Sequence, residues 1–261
     1  MAKKLIALDD GHGMATAGKR TPYIPELGRA IKENEFNRAV VKFLKKELER
    51  CGFDTLLVAP TDKDVPLKER TDLANRKKAD AYIAVHYNAF DGSFQGADPS
   101  GIEVYVYPGY KNKPAGKLAA AIAKHLKQGT QQNFRGIKEA NFHVLRETDM
   151  IAVLTENGYM DNKREALLMI DPLFQKEVAI EHAKGICEYF NVKYVPEEKE
   201  IPSTGFLDVP LNSYYAKDIM RAKALGVLNG YPDRTFRPEQ PMKRGDLAIA
   251  LMNLYDKLNK K

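Results

Sequence analysis

Residues 5–13 read LIALDDGHG, a run of four apolar side chains that gives way at once to two aspartates and a histidine flanked by glycines. Four such residues are too few to define a buried helix and suffice for a strand covered on both faces. The pattern returns at residues 81–86 (AYIAVH) and 151–156 (IAVLTE), with further strand-like runs at 55–58 and in GIEVYVYP, 101–108. Between them, apolar residues recur at helical spacing. Phe36, Val40, Phe43, Leu44 and Leu48 mark a helix over 33–50; residues 66–79, opened by Pro66, 115–128 and two segments within 163–191 follow. Apolar strands alternating with amphipathic helices predict an α/β domain whose mostly parallel, twisted sheet is flanked by helices on both faces.

A chain of 261 residues, 44% hydrophobic, has room for one large domain and one small one. The seam is VKYVPEEKEIPSTG, 192–205, where prolines, glutamates and small polar residues replace periodic patterning. This divides the chain into a domain over 1–192, a linker over 193–204 and a small module over 205–261. Cys51 and Cys187 stand far apart in sequence without C-x-x-C spacing, so they read as quiet core thiols rather than a disulfide framework or a cysteine metal site. The N-terminal apolar run is too short for a secretory signal, and no window approaches the roughly 20 apolar residues of a membrane span. The expectation is a protein made in the cytoplasm without an export signal of its own. Net charge is +6, and residues 204–261 hold ten Lys or Arg against six Asp or Glu. That surplus favours an anionic partner for the tail; no arginine-rich helix or aromatic-basic interleaving points to nucleic acid.

Three strands end on chemistry-bearing residues: His12 after the first, His86 closing 81–86 and Glu156 closing 151–156. Ligands gather at the carboxyl ends of strands in open α/β sheets, which brings two imidazoles and a carboxylate to one rim. A carboxylate at the end of an apolar strand must be paired, metal-bound or perturbed. GHGMAT opens like a phosphate-binding glycine loop, but the third glycine is missing and Pro22 and Pro25 deny the helix that such a loop requires. Gly11 and Gly13 instead suit a metal-ligating His12, turning the chain sharply and leaving room at the rim. Two histidines and a carboxylate form a frequent catalytic zinc set. Glu33, in the first turn of the long helix, and Glu26, in the preceding loop, both fit the third place. A first-turn glutamate also complements the helix dipole without any metal. Asn88 and His143, the latter in NFHVLRETD, are candidate substrate contacts; His125 and His182 sit on amphipathic helices and are expected to be exposed or half-buried.

ALDDGHG, AIKENEFNRAVVKFL, DAYIAVHYNAF, GIEVYVYP and FRGIKEANFHVLRETDMIAVLTENGYMDN together resemble the zinc-dependent N-acetylmuramoyl-L-alanine amidases of bacterial autolysins and phage endolysins, over residues 3–189. The resemblance implies one Zn2+ bound by His12, Glu33 and His86, which selects Glu33 over Glu26, with Glu156 as the catalytic glutamate. It implies peptidoglycan as substrate, cut between N-acetylmuramic acid and L-alanine. Asp10 stands where that family usually has proline, a change in the loop that touches no ligand.

From residue 205, F-x-DVP, GVLNGYPD-x-TFRP and MKRGDLA resemble the S-layer homology module, a small helical unit. That resemblance implies non-covalent binding to an anionic secondary cell-wall polymer, with Arg244 as the candidate contact. Such modules usually come three to a chain, whereas one is found here. The expectations are a homotrimer formed through the tails, or a single module docked on the catalytic domain. The combined expectation is a wall amidase acting as a phage endolysin after release, with a spore-former lysis amidase, a stem-peptide peptidase and an inactive wall-binding protein as the alternatives. Neither nucleic acid nor membrane is an expected partner.

Overall fold

In the computed structural model, which describes residues 3–197 and 204–259, the chain forms two compact units, 1–197 and 198–261. The first carries a six-stranded sheet: β1 (Leu5–Asp9), β2 (Asp54–Leu57), β3 (Ala81–Asn88), β4 (Ile102–Val106), β5 (Phe134–Glu139) and β6 (Ile151–Tyr159), ordered β2-β1-β3-β6-β4-β5. The strands β2, β1, β3 and β6 are parallel, while β4 pairs antiparallel to β6 and parallel to β5, so two strands at one edge run against the rest. The sheet is mostly parallel, as the alternation of strands and helices predicts, with a reversed edge that the pattern does not show.

Three helices cover one face: α1 (Glu33–Arg50), α3 (Pro114–Gly129) and α6 (Pro172–Phe190). They bury Phe36, Val40, Leu44, Leu118, Ile122, Val178 and Ile186 against Ile6, Leu8, Ile83, Val85, Val104 and Val153. Burial of each such side chain is worth about 1.5–3 kcal/mol. On the other face α2 (Leu67–Arg76) and the short α4 (His143–Arg146) put Ala74, Val144 and Leu145 over Ala7, Tyr82, Ala84, Ala152 and Leu154. Helix α5 (Lys163–Leu168) leads into α6, whose N-cap Asp171 accepts from the Leu173 N–H. No helix among the described residues is long and apolar enough to cross a membrane.

His86 and Glu156 do not end their strands. Both strands continue past them, β3 to Asn88 and β6 to Tyr159, with a register irregularity after His86. Tyr87, Asn157 and Tyr159 are buried there although the apolar run has stopped. His182 is fully buried rather than exposed or half-buried, because α6 packs against both α1 and α3 and turns this residue inward, onto Thr155 of β6. Both cysteines are buried free thiols, and they are neighbours: burial, and then the adjacent Cys51, push the Cys187 thiol up to about 12.

The expected linker falls in part outside the described residues, at 198–203. Residues 193–197 have no regular structure and are tied to the end of α1, through Tyr194 Oη on Glu47 (2.6 Å) and Arg50 Nε on the Val195 carbonyl (2.8 Å). The second unit contains α7 (Ala216–Ala224) and α8 (Arg244–Asn259), with a small core of Phe206, Val209, Ala216 and Ile219 closed by Phe236. Asp208 of DVP accepts the backbone N–H groups of Phe236 (2.8 Å) and Arg237 (2.6 Å), fastening the first motif of the module to TFRP.

Candidate active site

The loop after β1 is held from three sides. Asp9, buried in β1, accepts from Arg70 Nη1 of α2 (2.6 Å), Tyr82 Oη (2.6 Å) and the Gly11 N–H (3.0 Å). Arg70 Nη2 also reaches the His12 carbonyl (3.2 Å). From α1, Asn34 Nδ2 donates to the carbonyls of Asp10 and Gly11 (3.0 and 2.7 Å). Asp10 pairs with Arg38 at 3.3 Å. Under these constraints Gly11 and His12 both adopt left-handed backbone, φ 47° and 51°. For His12 that conformation costs about 1–3 kcal/mol, which the clamp must supply.

The two glycines do different work from opening the rim. A methyl on Gly11 would lie 2.7 Å from Nε2 and 2.8 Å from Nδ1 of the His86 imidazole, so Gly11 makes the space in which His86 sits. Gly13 packs on the backbone of residues 62–64, where an added carbon would meet Asp64 N at 2.5 Å.

Glu33 begins α1 and is buried in the site, whereas Glu26 is 61% exposed and ion-paired with Lys163. The usual task of a first-turn acid falls to Glu35, which accepts the Lys32 N–H (2.8 Å) and a two-pronged contact from Arg29. Glu33 is thereby left for the site. Its Oε1 lies 2.9 Å from His86 Nδ1 and accepts from Tyr87 N and Asn37 Nδ2 at 3.2 Å each. Its Oε2 is buried without a hydrogen-bond partner among the described residues, 3.4 Å from His12 Nε2 and 3.9 Å from Lys19 Nζ.

One ligand atom from each of His12, Glu33 and His86 lies within 4.8 Å of the others, a set that could hold a metal ion. An orphaned carboxylate oxygen aimed between two imidazoles fits a dication. Burial lowers His12 to about 4 against the Glu33 charge, which keeps its imidazole neutral near pH 7, the form that ligates. Burial alone would raise Glu33; the hydrogen bond to His86 and the His86 and His12 charges outweigh it and hold the carboxyl well down.

Glu156 pairs across the β3–β6 ladder with His86, and their side chains share the α2/α4 face. Burial pushes its carboxyl up to about 8; the His86 charge pulls against this, and Glu33 adds to it. Its Oε2 has no hydrogen-bond partner among the described residues. A carboxyl poised near neutral pH beside a metal-ligand set is suited to general base and acid work.

Behind the pair, His182 Nδ1 donates to the Val178 carbonyl (2.7 Å) and its Nε2 accepts from Thr155 Oγ1 (2.9 Å), while Asn157 Nδ2 donates to the His86 carbonyl (3.0 Å). Asn88 reaches the site's edge, where its Nδ2 donates to Glu103 (3.3 Å). His143 opens α4 and has its Nε2 3.4 Å from Thr71 Oγ1 of α2. Arg244 belongs to the second unit, exposed at the start of α8.

Sequence reasoning passed over Arg70 and Asn34, which hold the loop, and Glu103, fully buried opposite Glu156 on β4. An acidic residue inside the apolar GIEVYV was the available signal for Glu103.

Comparison with known proteins agrees with this architecture. Residues 6–188 match the family described as N-acetylmuramoyl-L-alanine amidase, and residues 205–248 match the S-layer homology domain. The chain is 32% identical over 189 residues to N-acetylmuramoyl-L-alanine amidase CwlM of Bacillus licheniformis, covering 72% of this chain and 69% of that protein. To an endolysin of Bacillus phage SPP1 it is 35% identical over 217 residues, 77% of this chain and 73% of the relative. Among solved structures, the catalytic domain of CwlV, an N-acetylmuramoyl-L-alanine amidase from Bacillus (Paenibacillus) polymyxa var. colistinus, superposes with a TM-score of 0.63 at 32% identity, covering 73% of this chain and 99% of that one. With the family matched across most of its length and a second domain matched in its tail, this chain belongs to the N-acetylmuramoyl-L-alanine amidases and carries an S-layer homology domain.

Proposed function

We propose that the protein hydrolyses the peptidoglycan amide between the lactyl group of N-acetylmuramic acid and L-alanine, using one zinc ion held by His12, Glu33 and His86. The observation that carries this reading is the convergence of those three ligand atoms beside Glu156, the cross-strand partner of His86. Bound there, zinc would polarise the scissile carbonyl and lower the pKa of a water toward about 7. Glu156 takes the proton of the attacking water and returns it to the departing alanine nitrogen. Arg70 and Asn34 keep His12 in its left-handed backbone so that the imidazole faces Glu33. Asn157 fixes the backbone of His86.

The division proposed is a catalytic domain over 1–192, a linker over 193–204 and a wall-binding module over 205–261. The module carries a groove of about 450 Å³ lined by residues including Tyr231, Arg237, Met242, Asp246 and Asn253. Arg237 is pinned by Asp233 (2.6 Å) with its guanidinium 4.1 Å from the Tyr231 ring centroid, and Arg244 stands on the neighbouring helix. An anionic secondary wall polymer suits these cations. Helix α8 exposes Ile249, Leu251, Met252, Tyr255 and Leu258, an apolar surface that supports association of three tails. The relative named an endolysin supports that biological role.

The test is zinc analysis coupled to digestion of purified walls by the wild type and Glu156→Ala. New alanine N-termini from the wild type, with none from a variant that retains one zinc, are expected. Full activity of Glu156→Ala, or new termini at other stem residues, would refute the reading. A strictly monomeric protein that still pulls down with walls would remove the trimer.

A further inference from the structure

Beyond Glu156 the same face of the sheet continues over β4 and β5. Glu103 pairs with Glu156 across the antiparallel β4–β6 ladder and is 1% exposed. Its carboxylate collects donors from four strands. Oε1 accepts from Arg135 Nε (2.7 Å), Lys138 Nζ (2.5 Å) and Tyr159 Oη (2.8 Å), while Oε2 accepts from Tyr105 Oη and Asn88 Nδ2.

One charge balances one charge, and here a single carboxylate holds two cations. Two tyrosine hydroxyls and an amide already supply hydrogen bonds to a group with about four acceptor sites. Neutralising Glu103 needs only one of the pair. Arg135 and Lys138 therefore leave a local surplus of positive charge, and both side chains stay partly in solvent, 37% and 40% exposed. Arg135 spends its Nε on Glu103 and a weak Nη1 contact on the Ser100 carbonyl (3.4 Å), and its guanidinium carbon lies 5.4 Å from the Tyr159 ring centroid. The parts of both cations not turned to Glu103 stay open to solvent.

Strands lie about 4.8 Å apart, so β5 stands roughly 10 Å from Glu156 along the face. An extended peptide advances about 3.3–3.6 Å per residue. Arg135 and Lys138 lean back over β4 to Glu103, one strand from Glu156, so a chain leaving the scissile amide across β4 brings its second residue, roughly 5–7 Å along, to these cations. We propose that these two residues, preorganised by Glu103, form an anion subsite for the free carboxylate of the acidic residue that follows alanine in the peptide stem. The proposal rests on the amidase reading and adds to it the basis for selecting among stems. Arg135 and Lys138 are specificity residues, and Glu103 is a positioning residue acting through them.

Soluble disaccharide-peptides carrying either the free acid or the carboxamide at the second stem residue test it in two measurements. One is kcat/KM for release of alanine N-termini; the other is calorimetric binding to Glu156→Gln, which needs no turnover. Wild type is expected to favour the acid by about tenfold to hundredfold, the range of a charge-assisted pair of hydrogen bonds. The ratio should fall to within twofold in R135Q/K138Q and return in R135K. Because R135Q/K138Q leaves Glu103 charged and buried, E103Q/R135Q/K138Q, which restores neutrality, is run beside it and should lose the preference equally. Equal cleavage and equal binding of acid and amide by the unaltered site would overturn the subsite, as would a preference that survives in both glutamine variants. Acid-selective binding with no alanine released would leave the subsite standing and remove the amidase reading instead.

Discussion

Replacing Gly11 by alanine separates the two demands placed on the first loop. The residue has φ 47°, which costs an L-amino acid about 1–2 kcal/mol. It also faces His86, and the new methyl would stand 2.7 Å from Nε2 where ordinary contact begins near 3.4 Å. The imidazole must retreat by at least about 0.7 Å, and further to clear its nearer Cε1, several times the roughly 0.2 Å tolerance of a metal–ligand distance. Its Nδ1 also lies 2.9 Å from Glu33 Oε1, so the retreat disturbs that contact too. We expect zinc affinity to fall about tenfold to hundredfold, measured by chelator competition, together with a lower melting temperature. Gly28→Ala is the control, since Gly28 shares a left-handed backbone (φ 64°) and has nothing within 4 Å of the added carbon. It should lose stability alone. If Gly11→Ala binds zinc within twofold of wild type while melting like Gly28→Ala, the packing of His86 on Gly11 has no part in metal binding.

Removing zinc from the wild type should lower its melting point, because saturation at 1,000 times Kd is worth about 4 kcal/mol; identical melts with and without chelator would argue against a bound metal. Arg70→Met leaves Asp9 charged and buried, for an expected loss of about 3–5 kcal/mol by denaturant unfolding; a loss under 1 kcal/mol would mean that Tyr82 and Gly11 suffice to hold that carboxylate. His182 is lowered by burial from 6.5 to about 4, against weaker opposing contributions from the Val178 carbonyl and Glu181. The folded state therefore binds fewer protons than the unfolded one, and stability is full above pH 6.5 and falls between 6.5 and 4, by about 3 kcal/mol. In His182→Gln that part of the pH dependence should vanish, and an unchanged acid limb would place its origin elsewhere.

The parallel half of the sheet could be read from LIAL, AYIAVH and IAVLTE because strands buried on both faces carry unbroken apolar runs. Strand β5, FRGIKE, could not: it is an edge strand that alternates charges with apolar residues around Gly136. The reversal of β4 was equally silent, since a strand's polarity relative to its neighbour leaves no mark on its own composition. His12, His86 and Glu156 stood out as polar groups attached to apolar runs. Glu33 did not, for its helix-start position is shared with Glu35 and only the hydrogen bonds of Glu35 and Arg29 tell the two apart. His182 misled because helical periodicity reports one buried face, and α6 lies between two other helices.

The uneven cover of the sheet bears on how an enzyme meets a substrate that cannot come to it. Helices α2 and α4 roof β1, β3 and β6, while β4 and β5 present Tyr105, Arg135 and Lys138 partly uncovered. A wall polymer is a fixed, cross-linked mesh, and a catalyst that required its target to thread a tunnel would wait for free ends. A floor open along one edge can instead be laid against an internal stretch of the mesh, as a plane is laid on a board. Cutting then begins wherever the protein lands, and the tail domain, by holding it near the surface, would set how many such landings precede its escape.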